Sequence, residues 1–118
     1  MNNKSIILPI KEPWYSMILS GEKKEEYREI KDYYRTRFAN LLTTPLGDPM
    51  KKEQLDEWLI SPLRFSLNVV FRNGYRSDSP SFTAKCRLKI GTGRPKWGAE
   101  PDMRYYILEI IEIIRCDM

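Results

Sequence analysis

Two segments in the second half of the chain alternate apolar and polar residues with a period of two, and this limits the possible folds more than any other feature. In residues 64–72 and 82–90 every second side chain is apolar, and the positions between them are mostly polar or basic. A period of two predicts a β-strand with one face in the core and the other towards solvent. The pair Asn73-Gly74 follows the first segment and is a strong turn signal. We therefore predict two strands separated by a turn.

The rest of the chain predicts helices and further strands. Residues 5–10 indicate a strand that lies or stops at a sheet edge, because Pro9 cannot donate a ladder hydrogen bond. Pro13 suits the first turn of a helix and Gly21 suits its C′ position. Two further helices are predicted, one at 31–42 with Asp32 as a possible cap and one at 50–60 with Asp48 as N-cap and Pro49 at N1. The remaining predicted elements are a short strand near 26–30, a glycine-rich loop at 91–98 and a closing strand at 105–115. Together they predict one α+β domain over residues 1–118.

The sequence contains no histidine, which removes the commonest general base and zinc ligand. Sites of the Ser-His-Asp, Cys-His and HExxH types are therefore excluded. Cys86 and Cys116 lack the CxxC spacing of a zinc or redox site, so we expect reduced core thiols, no metal and no cofactor. The first ten residues lack the pattern of a cleavable leader, so we expect a cytoplasmic protein that does not enter a membrane.

The net charge of +4 is unevenly distributed along the chain. Residues 1–63 have a net charge of zero and residues 98–118 a net charge of −3. Residues 64–97 have a net charge of +7, because they contain eight basic side chains and a single acidic one, Asp78. Such a block favours a surface that meets polyanions, phosphate above all. It is equally typical of a solvated sheet face that lysine and arginine keep soluble.

Gly21, Lys23, Glu26 and Arg28 form the spacing GxKxxExR between the first predicted helix and the short strand. Glycine lets the backbone leave the helix in a left-handed turn, and on an extended strand Glu26 and Arg28 share one face. Glutamate beside arginine would accept hydrogen bonds rather than donate a proton. From the residues alone, an exposed segment held by ion pairs explains the same spacing.

This motif and its setting resemble the ASCH domain, named for activating signal cointegrator homology, of the PUA-like superfamily. The flanking pattern also agrees: an apolar strand ending near a proline, an aromatic residue in the helix at Trp14, and Ile18 shortly before the glycine. The similarity is close over about residues 5–30 and looser over 84–90 and 105–114. It implies a small β-barrel of five to six strands, with two to three helices inserted between strands and a cleft lined by the motif.

The resemblance implies RNA or a modified nucleoside as the leading partner, with Lys23, Glu26 and Arg28 in the cleft. Some small members of the family are amidohydrolases that deacetylate acetylcytidine with the motif lysine and a threonine. Here Lys23 matches that lysine, and Glu26 stands where those enzymes carry the threonine. The alternatives are therefore an amidohydrolase with Lys23 and Glu26 as catalytic residues, or a non-catalytic protein-interaction or phage accessory domain.

Two further basic sets are candidates for contact with RNA. In the loop GTGRPKWG, Arg94 and Lys96 could neutralise phosphates while Trp97 stacks on a base. A loop pinned by a partly buried tryptophan is the alternative explanation. Arg72 and Arg76 flank the predicted turn at Asn73-Gly74, and they would extend the same surface or simply protect a sheet edge from aggregation.

Overall fold

The computed structural model describes residues 5–117, which form one five-stranded sheet and three α-helices. In chain order the elements are β1 (Ser5–Ile10), α1 (Trp14–Leu19), β2 (Glu25–Arg28), α2 (Asp32–Ala39), α3 (Lys52–Ile60), β3 (Phe65–Asn73), β4 (Ser81–Thr92), a 3-10 turn (Pro95–Trp97) and β5 (Arg104–Asp117). The predicted α+β class, the number of strands and the helices inserted between strands are confirmed.

The sheet has the strand order β1-β3-β4-β5-β2 and curls into a half-barrel. Strands β3, β4 and β5 are antiparallel neighbours, β2 runs antiparallel to β5, and β1 runs parallel to β3. The two edges are therefore β1, as Pro9 predicted, and β2, which carries the second half of the GxKxxExR motif. Curling turns these edges towards each other, and the side chain of Arg28 on β2 reaches the carbonyl of Pro9 on β1.

The alternating residues of β3 and β4 supply the middle of the core, as their period predicted. Their inward side chains are almost wholly inaccessible: Phe65, Leu67, Val69 and Phe71 on β3, and Phe82, Ala84, Cys86 and Leu88 on β4. These strands pair directly, so the two apolar faces form one continuous surface that the helices cover. Among residues 5–117, no helix has the length and apolar character needed to cross a membrane.

The predicted helix caps and one cysteine environment are wrong. Helix α2 begins after Lys31 and α3 after Lys51, so neither Asp32 nor Asp48 caps a helix. Asp48 instead lies in a closed loop, where its carbonyl accepts a hydrogen bond from the Thr44 amide at 2.8 Å, and this delays the start of α3. Cys86 is buried as expected, whereas Cys116 is exposed near the end of β5, so it is not a core thiol.

Candidate functional site

The motif begins at a glycine-dependent turn. Gly21 follows α1 with φ of +88°, a left-handed conformation that side chains other than glycine rarely adopt. The turn is closed by the amide of Lys23, which donates to the carbonyl of Met17 at 2.9 Å. The chain then enters β2, where Glu26 and Arg28 pair with core residues of β5 and so face the inside of the half-barrel. The predicted turn and the shared face are confirmed.

Lys23 is held inside the protein. Its side chain is 1% exposed, and its Nζ donates to the carbonyl oxygen of Trp97 at 2.5 Å and lies 3.4 Å from a carboxylate oxygen of Glu26. The same Nζ lies 5.0 Å from the ring centre of Trp14 and 4.8 Å from that of Tyr27, within cation–π range. Burial lowers the pKa of Lys23 below its usual value, against the opposing effect of Glu26. In this conformation the ammonium group contacts protein groups rather than solvent.

Glu26 and Arg28 form a forked ion pair. The Nε and Nη2 of Arg28 donate to the same carboxylate oxygen of Glu26 at 3.2 and 2.8 Å. The guanidinium also donates to the hydroxyl of Tyr34 at 3.2 Å and to the carbonyl of Pro9 at 3.0 Å. Because Pro9 lies on β1 and Arg28 on β2, this one side chain joins the two edges of the sheet.

The glycine-rich loop lies directly against the motif. The amide of Arg94 donates to the hydroxyl of Tyr27 at 2.9 Å, and the carbonyl of Trp97 accepts from Lys23. Trp97 is 7% exposed, with the Arg94 guanidinium 5.3 Å and the Lys96 ammonium 5.0 Å from its ring centre. Both cations are exposed, and neither has a carboxylate within 4 Å in residues 5–117. The fold thus brings Arg94, Lys96 and Trp97 together with Lys23.

The remaining predicted basic residues are placed differently. Arg72 pairs in register with Pro9, so it lies on the strand next to the carbonyl that Arg28 contacts. The side chain of Arg76 is exposed in the connection between β3 and β4, where it forms a forked ion pair with Asp78 at 3.1 Å. Arg72 therefore lies near the motif, while Arg76 is engaged within its own loop.

The outward basic face of β4 is partly neutralised by neighbouring strands. Arg87 lies 3.2 Å from a carboxylate oxygen of Glu109, and Lys89 lies 3.5 Å from Glu25 and 3.9 Å from Glu109. These cations belong to a partly solvated ion-pair network across β4, β5 and β2. For this part of the +7 block, the solvated sheet face is the better description.

Sequence reasoning missed the two aromatic rings that enclose Lys23. In the motif comparison Trp14 stands only as an aromatic residue of the first helix, and Tyr27 has no assigned role. Their rings nevertheless converge on one ammonium group, because Lys23 sits at the turn between these two elements. The available signal was the presence of an aromatic residue on both sides of the motif lysine.

Cavities are found both at the motif and away from it. A cavity of about 230 Å³ lies beside the motif turn and is bordered by Gly21, Lys23 and residues 110–113 of β5. A larger cavity of about 910 Å³ lies elsewhere, at the start of β3. In the described residues there is no group of three or more carboxylate or thiol side chains placed to hold a metal ion.

Comparison of the chain with protein-family models, with curated proteins and with solved structures gave no match.

Proposed function

We propose that this protein is an ASCH-type, PUA-like module that binds RNA or a modified nucleoside, and that Arg94 and Lys96 supply its phosphate contacts. The observation that carries the proposal is the pair of exposed cations without carboxylate partners in residues 5–117, both resting on the ring of Trp97. Phosphate groups are bound chiefly by such lysine and arginine side chains, and the affinity falls as the salt concentration rises.

In this proposal the motif positions the loop instead of touching phosphate. Lys23 holds the carbonyl of Trp97, and Tyr27 holds the amide of Arg94, so both ends of the basic segment are tied to the motif. Glu26 stands between Lys23 and Arg28 and sets the orientation of both. Fixing the two cations before binding reduces the entropy that binding would otherwise cost.

The test is fluorescence anisotropy with a short single-stranded RNA at several salt concentrations. We expect the double variant Arg94→Gln/Lys96→Gln to bind at least about tenfold more weakly and to reduce the slope of log K against log salt by about 2, roughly one for each lost phosphate contact. Separate Arg72→Gln and Arg76→Gln variants show how far the interface extends along β3 and its turn.

The matched control is Lys11→Gln/Lys51→Gln, which removes the same charge from two other exposed positions. We expect it to retain RNA binding apart from the small effect of net charge. Absence of binding at low salt, or equal losses in the two double variants, would contradict the proposal. If the protein also releases no acetate from acetylcytidine, a non-catalytic protein-interaction or phage accessory role is the alternative that remains.

A second candidate, amide hydrolysis of an acylated nucleoside such as acetylcytidine, is favoured by one observation. Lys23 is a buried amine with a lowered pKa, 3.4 Å from Glu26 and beside a small cavity. An amine of this kind can act as base or nucleophile without a histidine. Purified protein should then release acetate from acetylcytidine, and Lys23→Ala should abolish release while the circular dichroism spectrum is retained. No release by the wild type would eliminate this activity.

A further inference from the structure

The larger cavity, of about 910 Å³, lies at the start of β3 on a part of the molecule that the GxKxxExR motif does not reach. It is bordered on one side by residues 64–68, where β3 begins, and by Lys85 of β4, and on the other by the end of α2 and the loop that leads to α3. Volumes of roughly 300 to 1,000 Å³ are typical of small-molecule sites. The cavity is thus large enough for a ligand of nucleotide size.

One wall of this cavity is a closed loop. The amide of Met50 donates to the carbonyl of Leu42 at 3.1 Å, and Thr43 and Pro49 form an isolated antiparallel bridge. Inside the loop, the Thr44 hydroxyl accepts hydrogen bonds from the amides of Leu46 and Asp48, each at 3.3 Å. These bonds hold the wall in place, so a ligand would meet a largely formed surface.

The opposite wall presents two cations, Arg64 and Lys85. Asn68 and Lys85 are direct partners in the β3–β4 register, so their side chains share the outward face, and alternation places Ser66 on that same face. Arg64 immediately precedes β3 and also borders the cavity. Arg64 and Lys85 are exposed, and in the described part of the chain neither lies within 4 Å of a carboxylate. Arg87, which pairs with Ser66, is instead bound to Glu109.

The side chains at the base of the cavity are apolar. Leu42, Met50 and Phe65 border it, and each belongs to the core with 5 to 8% of its surface still exposed. A ligand that fits both parts has an anionic group for the cations and a ring or hydrocarbon portion for the base. A guanidinium group can donate two parallel hydrogen bonds to a phosphate, and an ammonium group adds a compact positive charge.

We propose that this cavity binds a small phosphorylated molecule of nucleotide size. Arg64 and Lys85 hold the phosphate, Asn68 hydrogen-bonds beside it, and Leu42, Met50 and Phe65 contact the apolar portion. The site is separate from the loop of Arg94 and Lys96, so it stands whether or not the protein binds RNA.

The experiment titrates adenosine 5′-monophosphate into ¹⁵N-labelled protein and follows the amide signals. We expect saturable shifts at residues 42–50 and 64–68, and at least roughly tenfold weaker binding of adenosine, which lacks the phosphate. Inorganic phosphate should shift the 64–68 signals alone. Succinate, a dicarboxylate that can pair with the cations but has no ring for the apolar base, should bind more weakly than the nucleotide.

Variants separate this site from the RNA surface. Arg64→Gln and Lys85→Gln should each weaken nucleotide binding at the cavity roughly tenfold, and Arg64→Lys should fall between. In Arg94→Gln/Lys96→Gln the shifts at residues 42–50 and 64–68 should persist, whatever happens to binding at the RNA surface. Because Arg64 and Lys85 are exposed, unaltered urea midpoints should accompany the losses. The proposal is overturned if the nucleotide gives no saturable shift at these amides, if the shifts survive in Arg64→Gln/Lys85→Gln, or if succinate binds as tightly.

Discussion

Lys23 is a buried charged residue whose side chain links the motif turn to the glycine-rich loop. We expect Lys23→Met, which keeps the chain length and removes the donor, to lower the free energy of unfolding by about 1–3 kcal/mol, because the Trp97 carbonyl loses its hydrogen bond and Glu26 loses a counter-charge. Amide hydrogen exchange in residues 94–98 should accelerate. The exposed neighbour provides the control: Lys24→Met should change neither quantity. Equal effects of the two variants would show that Lys23 does not hold the loop.

Cys86 predicts how stability depends on pH. Burial raises the pKa of its thiol from the usual 9.0 to about 12, so above pH 9 the unfolded chain releases a proton that the folded chain keeps. This group therefore lowers the free energy of unfolding as the pH rises through that range, by on the order of 1 kcal/mol for each pH unit. In urea unfolding from pH 8 to 11 under reducing conditions, Cys86→Ala should show a shallower decline than the wild type. Parallel declines would contradict the prediction.

The glycine-rich loop depends on a close approach between elements. A Cβ built on Gly93 would lie 2.6 Å from ring atoms of Tyr27 and 2.7 Å from the Cβ of Ala99, whereas one on Gly91 would meet only the end of the Ile107 side chain, at 3.3 Å. We expect Gly93→Ala to cost about 1–3 kcal/mol in thermal unfolding and to weaken RNA binding by displacing the loop. Gly91→Ala should be close to neutral, and a similar cost for both would rule out this packing argument.

The elements themselves were largely predictable, and their ends were not. Periodicity located β3 and β4, because alternation is a property of neighbouring residues in one strand, and a short apolar run ending near Pro9 located β1. The predicted caps of α2 and α3 were wrong because the side chain of Asp32 binds Arg35 and Lys52, and the Asp48 backbone closes a loop with Thr44. Those partners compete with a helix cap and depend on packing between helices.

At the scale of the whole molecule, Arg28 spans the opening of the half-barrel between β2 and β1. Arg28→Met removes this link and leaves the carboxylate of Glu26, whose side chain is 12% exposed, without its main partner. We expect a loss of about 3 kcal/mol or more in chemical denaturation, since breaking a buried ion pair strands the remaining charge. Arg28→Lys should recover only part of it, because lysine lacks the fork.

The comparison for this prediction is Arg37→Met. Arg37 also donates to a β1 carbonyl, that of Ile7, at 3.4 Å, but no carboxylate lies within 4 Å of it in residues 5–117. Its loss should therefore cost less than about 1 kcal/mol. If Arg28→Met were no more damaging than Arg37→Met, the join between the two sheet edges would not contribute to stability.

The sequence by itself determined the α+β class, the inward face of the central strands, the glycine turn of the motif and the concentration of positive charge in residues 64–97. Each of these depends on residue type and local spacing. Only the tertiary structure decided that Lys23 is buried under a carbonyl 74 residues further along the chain, and that Arg87 is paired while Arg64 and Lys85 face a cavity. Strand register and the curl of the sheet choose those partners, and both arise from packing over the whole molecule.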